Sequence, residues 1–440
     1  MSNNPAPELK RILGPLLVWG LGVGYVISGM YFGWNLGLEK GGTLGLAIAT
    51  FFIIIHYAAF TLSYTELACA IPKAGGAFDY AERAFGKDVG FIVGMAQNIE
   101  FIFAPPAIAF AIGAYFNLFL PQLPVIFIAV FVYIAFTALN IYGVKAAATF
   151  ELVITIFAVG ELLLFTGLTL PQFNWDNVTH NSFPNGWAGV FASIPFAIWF
   201  FLGIEGVANV AEETIDPQRT VAKGFGSAIV TLVALCVLVF LGSVGVAGWE
   251  AIVYGKDGAV SDSPLPLALG YIVGNDSVLY HLLITIGLFG LVASFHGLML
   301  ASGRSTFEFG RVGFAPSFLG RIHKKFKTPA NALILNMLIG IVALLTGRTG
   351  DIITISVFGA LTLYTISMLS LLRLRRKEPD LARPYIVPFY PATPIIACVI
   401  VVVSLVSLAI FNQRLCLLYL LIIGSCYGIF KLWNLRKRQE

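Results

Sequence analysis

The feature that most constrains this chain is a succession of long, uncharged apolar runs. The first, "PLLVWGLGVGYVISGMYFGWNLGL", starts at Pro15, and no charged residue stands between Arg11 and Glu39. A helix needs about 20 mostly apolar residues to cross a bilayer. Marking such runs predicts about twelve transmembrane helices, the first centred near Tyr25 and the last near Leu421. A membrane β-barrel is excluded, because its strands alternate apolar and polar residues over about 10 positions. Charge is also too scarce to cover a water-facing surface. Only 11% of the 440 residues are charged, against about 25% in a soluble domain. The predicted class is an all-α polytopic membrane protein with membrane lipid as its main surroundings.

The run after "MSNNPAPELKR" is too long for a signal-peptide core, so it reads as a retained first helix. Five scattered cysteines give neither a disulfide framework nor a metal site. The five histidines show no ligand spacing. No catalytic group, metal or cofactor is expected, and neither is an enzyme.

Orientation follows from the cations. Of the 27 Lys and Arg residues, 23 fall in one set of alternate loops and four in the other. This bias predicts an even helix count with both termini in the cytoplasm of a cytoplasmic (inner) membrane. Every basic cluster abuts an apolar span, so no nucleic-acid partner is expected.

An ionisable residue at a span centre costs about 2.5–3.5 kcal/mol on insertion scales. Glu66 and Glu308 lie near span ends, and Glu151 sits about one turn into its helix. Glu100, Glu161 and Glu205 lie deepest. Each admits a structural reading, as a hydrogen bond between helices, beside a functional one. Glycines sharpen the choice. The first span carries Gly20, Gly22, Gly24, Gly29, Gly33 and Gly37, and the sixth reads "FFLGIEGVA" around Gly203, Glu205 and Gly206. Small residues can serve close packing. They can also let a helix unwind where protein or a water-filled cavity satisfies the freed backbone. Two Gly-interrupted spans five helices apart fit an inverted repeat with a central binding site.

At these residues a resemblance becomes specific. "VISGM" (26–30), "YTELACAIPKAGGAFDYAERAFG" (64–86), "ALNIYGVKAAATFE" (138–151) and "GIEGVANVAEETIDPQRTVAKG" (203–224) resemble, in order and spacing, segments of the amino acid–polyamine–organocation (APC) superfamily of secondary transporters. The resemblance implies a LeuT-like fold with broken helices 1 and 6. It places a first inverted half at 12–170, a second at 188–372, helices 11 and 12 at 390–435, and tails at 1–11 and 436–440. "GMYFGWNLG", "GVAGWEAIVY" and "SDSPLPLALG" are similar to the ethanolamine permeases within that superfamily. The runner-up is an amino-acid permease.

An ethanolamine site needs anions or carbonyls for the ammonium, an aromatic wall, and a polar contact for the hydroxyl. Glu205 and Glu100 can face the cation. Tyr25, Trp199, Phe200 and Phe201 can supply walls, with Trp199 as a gating aromatic by resemblance. Ser28 and Asn209 can meet the hydroxyl, Asn209 being on the Glu205 face if an α-helix resumes after the break. The breaks themselves bring in Ile27, Gly29, Met30 and Gly203. For energy coupling, some superfamily members carry a lysine in the fifth helix where Ala158 stands here. Glu161, about one turn on, is the coupling candidate. A proton or Na⁺ can serve as the coupling ion, and uniport or exchange is equally open.

Overall fold

The computed structural model describes residues 11–73, 75–142, 147–255 and 257–436. The two tails lie outside these residues except for Arg11 and Arg436, as does Lys145 of the 138–151 motif. Among the described residues the secondary structure is helical, with no strand beyond two isolated bridges.

Among the described residues, ten helices are long and apolar enough to cross a membrane. Two further crossings escape that criterion. The first is interrupted, running Pro15–Val26 and Ser28–Tyr31 before helix resumes at Asn35. The ninth, Ala330–Leu344, is short. The architecture is therefore an all-α bundle of twelve crossings, LeuT-like, with crossings one and six broken. An even number of crossings puts both ends of the chain on one face, hereafter the terminal face.

Crossings one and two run on through one helical stretch, Asn35–Ala70, which turns at Gly42 with φ +65. A Cβ there would lie 2.6 Å from the Ser182 carbonyl oxygen. Only glycine combines this backbone with so close an approach. The third crossing, Lys87–Asn117, contains Pro105 and Pro106 yet continues through them. The sequence suggests a disturbed helix there. Each proline does remove one backbone donor, but the helix ladder on either side holds.

Exposure follows the apolar solvent. Phe127, Phe131 and Val278 point outward, as lipid-facing side chains can. Phe51 and Phe52 of the second crossing also point outward, whereas its Tyr57, Phe60 and Tyr64 are buried in the bundle.

The terminal face is tied by charge. Glu66, at the end of the second crossing, accepts two 2.7 Å bonds from Arg375 and one of 2.8 Å from the Val387 N–H, with Arg383 at 3.4 Å. Lys431 pairs with Asp88 at 2.7 Å. The chain entering the first crossing is zipped to the chain leaving the sixth, since the N–H groups of Ile12 and Leu13 both donate to the Glu213 carbonyl.

Candidate functional site

Both broken crossings are built by glycines, in two different ways. In the first crossing the sharpest break falls at Phe32–Gly33, one turn later than "VISGM" suggests. Phe32 is extended and Gly33 has φ +86. Gly29 stays helical, and its lack of a Cβ serves contact instead. A Cβ at 29 would collide with the Trp199 carbonyl oxygen and lie 3.0 Å from Phe200 Cα. In the sixth crossing the α-helix Gly186–Trp199 stops, Gly203 takes φ +93, and the chain goes on as a 3₁₀-helix, Ile204–Glu213. Gly206 accommodates the Tyr25 ring, 2.9 Å from where its Cβ would be. The two breaks thus lie backbone to backbone.

Around this contact the sequence-derived residues separate into three groups. The first closes the side facing away from the terminal face. Trp199 Nε1 donates to the Phe32 carbonyl at 3.0 Å, and the two rings meet edge to face at 5.4 Å. Phe200 stacks on Trp34 at 5.6 Å. Met30 accepts the Trp34 indole N–H at 3.1 Å, and Ile27 is fully buried beside it in the chain.

The second group joins the first and eighth crossings. Ser28 Oγ is 2.8 Å from Ser294 Oγ, and Ser294 donates to the Tyr25 carbonyl at 2.7 Å. Ser28 is therefore engaged by protein.

The third group holds the acids. Glu205 Oε2 accepts the Tyr364 hydroxyl at 2.7 Å, while its Oε1 has no partner. Glu100, with no exposed surface, lies within hydrogen-bonding reach of Glu205. The Gly203 amide and the Tyr364 hydroxyl also face it, yet neither Glu100 oxygen closes a well-formed bond. No Lys or Arg among the described residues pairs with either acid. Aromatic rings from the second and tenth crossings surround the pair. Tyr57 packs on Phe201 at 5.1 Å, Phe60 on Tyr364 at 4.4 Å, and Phe60 on Tyr64 at 4.9 Å. Two carboxyls this close present one shared place for a proton or a cation, and the rings add a surface that favours a cation.

Two predicted residues sit elsewhere. Asn209 places its side-chain oxygen against Gly76, in the loop after the second crossing. The reason is the 3₁₀ continuation. At three residues per turn, positions i and i+4 no longer share a face, so Asn209 leaves the face of Glu205. Glu161 accepts the Tyr31 hydroxyl at 2.7 Å, and Tyr31 also reaches the Ala158 carbonyl at 3.1 Å. It lies towards the face opposite the termini, apart from the Glu100–Glu205 pair.

Sequence reasoning missed Tyr57, Phe60, Tyr64 and Tyr364. A signal existed: "HYAAFTLSY" puts Tyr57, Phe60 and Tyr64 at i, i+3 and i+7, one stripe of a helix.

Comparison with known proteins agrees with this architecture. The family model described as amino acid permease matches residues 13–425. The chain is 28% identical to an uncharacterized transporter of Rhizobium meliloti (strain 1021), over 99% of this chain and 96% of the relative. It is 26% identical to the methylthioribose transporter of Bacillus subtilis (strain 168), over 90% and 88%. It is 27% identical to a low-affinity putrescine importer of Escherichia coli (strain K12), over 84% of each. The chain belongs to the amino acid permease family, and it is a multi-pass membrane transporter, not an enzyme.

Proposed function

We propose that this transporter imports a small organic amine, with ethanolamine as the substrate, by alternating access around the broken first and sixth crossings. The observation that carries this reading is the buried Glu100–Glu205 pair. Three carboxylate oxygens lack a well-formed hydrogen bond, aromatic rings surround them, and no cation among the described residues neutralises them. A buried carboxylate left without a partner is expensive, so an ammonium group is its natural complement. Trp199 over Phe32 serves as the gate on the far side. In this reading the substrate hydroxyl is met at the backbone opening beside Gly203, and Ser28 becomes available to it only if its contact with Ser294 opens.

The amino-acid alternative rests on a different observation. The Gly203 amide at the break faces Glu100, and a backbone N–H at such a break suits a substrate carboxylate. Uptake of labelled ethanolamine into proteoliposomes, challenged with excess unlabelled ethanolamine, putrescine, or branched-chain amino acids, separates the two. No uptake of labelled ethanolamine by protein that takes up labelled branched-chain amino acids rejects the amine reading.

In this reading the terminal face is cytoplasmic and the membrane is the inner one, on the strength of the cation bias. The halves 12–170 and 188–372 move against each other, and 390–435 stands outside the repeat. A cysteine placed at Gln439 in a cysteine-free background should be labelled by an impermeant thiol reagent only after the membrane is opened. Labelling on intact cells rejects this orientation.

A further inference from the structure

A second buried ionisable pair lies outside the substrate site. His296, in the eighth crossing Val278–Arg311, places Nδ1 3.5 Å from Oε2 of Glu151, in the fifth crossing Ala147–Thr169. Both side chains are 2% exposed. The separation is at the outer limit of a hydrogen bond, so this is not a tight structural ion pair. The second oxygen, Glu151 Oε1, has no partner. It is aimed at the broken first crossing: a Cβ on Gly24 would lie 2.7 Å from it and 2.8 Å from Thr155 Oγ1, and a Cβ on Gly297 would lie 3.2 Å from it. Phe136 and Phe150 wall the imidazole, with ring centroids 6.3 and 6.4 Å away.

The groups facing the pair are few. The first crossing supplies Tyr25, which lies in the field of Glu151, Glu213 and Arg304. Arg304 follows two turns after His296 and is held by Glu213 of the sixth crossing at 3.1 Å. The third crossing brings Glu100, already placed beside Glu205. The seventh brings Arg219 and Lys223, both in its first two turns at the terminal face. The fourth and ninth crossings, Val125–Tyr142 and Ala330–Leu344, carry no acid, Lys, Arg or His. Glu161, in contrast, is occupied by Tyr31 near the other face.

We propose that Glu151 and His296 form the proton-binding site that couples transport to a proton gradient. The inference rests on the reading of the chain as an alternating-access carrier. One proton binds between His296 Nδ1 and Glu151 Oε2, and the contact shortens as it does. Movement of the first crossing, and Gly24 with it, away from Glu151 lets water reach the carboxyl from the terminal face, about one turn off, and the proton leaves by that route. Intramembrane acids and histidines are the usual parts of proton relays. This pair has the remaining requirements: a loose contact, an open oxygen, and a neighbour that moves.

The test uses two readouts. Infrared difference spectra of the purified transporter in lipid, between acidic and alkaline buffer, report protonated carboxyls without any substrate. A carboxyl band present in wild type and in Glu151→Asp, and missing from Glu151→Gln, supports the site. In proteoliposomes, an inward proton gradient should drive accumulation of labelled ethanolamine by wild type and Glu151→Asp. Glu151→Gln should lose that accumulation while still exchanging labelled for unlabelled ethanolamine. His296→Gln carries the same transport test should Glu151→Gln fail to fold. An unchanged band in Glu151→Gln, wild-type accumulation by it, or accumulation driven by Na⁺ alone overturns the proposal. If wild type carries no ethanolamine, the substrate reading fails and the infrared band alone decides the proton site.

Discussion

Glu66 and Glu205 are both glutamates buried in this bundle, and they are treated in opposite ways. Glu66 is saturated by the Arg375 fork, the Val387 amide and the Arg383 guanidinium. Glu205 receives one tyrosine hydroxyl and shares its surroundings with a second acid. The contrast teaches how to separate a structural charge from one held for a ligand. A buried charge with its full set of partners fixes the fold. One with open oxygens is costly to keep ionised, and under the proposed function the substrate ammonium is what completes it.

That contrast can be broken from either end. The largest expected effect is at Glu66. Glu66→Gln leaves Arg375 and Arg383 without their counter-charge, and should destabilise the protein by about 3 kcal/mol. Thermal unfolding in detergent measures it, and an unchanged midpoint would erase the distinction between the two acids. Next comes Glu205→Gln. Here the fold should persist, while ethanolamine affinity by calorimetry falls at least about tenfold, or about 1.4 kcal/mol. Glu100→Gln should follow the same pattern more weakly. Wild-type affinity in both variants would mean that carbonyl dipoles and aromatics alone hold the cation.

A smaller effect belongs to the gate. Trp199→Ala loses the bond to Phe32 and the ring contact, worth about 1 kcal/mol, so binding should weaken about fivefold with folding largely intact. Binding and transport at wild-type levels would remove Trp199 from the gate.

The smallest effect sharpens the comparison by its absence. Glu378 is a partly exposed acid on the terminal face, held below the usual carboxylate range by the Arg83 guanidinium at 2.6 Å. A lowered folded value means its contribution is present above an ordinary glutamate value of about 4.3, and is lost as the pH falls through the lowered value. Glu378→Gln should change stability by less than about 1 kcal/mol at neutral pH. A shift as large as that of Glu66→Gln would show that burial is not what separates the acids.

Much of this was legible in the sequence for a physical reason. Lipid admits few ways to bury a backbone, so apolar runs translate almost directly into crossings, and Glu100 and Glu205 stood out because charge is rare there. What escaped depends on local geometry. Glycine spacing did not distinguish Gly33, which needs a positive φ, from Gly29, which needs close approach. The 3₁₀ turn that carries Asn209 away has no signature in "EGVANVAEE". Tyr57, Phe60 and Tyr64 form a stripe that reads equally well as lipid-facing or as core until Tyr364 is seen opposite. Glu151 reads from the sequence as an acid about one turn into its helix, and only the fold brings His296 to it.

The missing side chain at Gly29 has a mechanical consequence. With the Trp199 carbonyl and Phe200 Cα against bare backbone, the first and sixth crossings share a bearing without clearance. Backbone packed this closely passes a tilt of one crossing on to the other. The pair then works as a single lever, and a methyl group at position 29 would act as a wedge in its fulcrum.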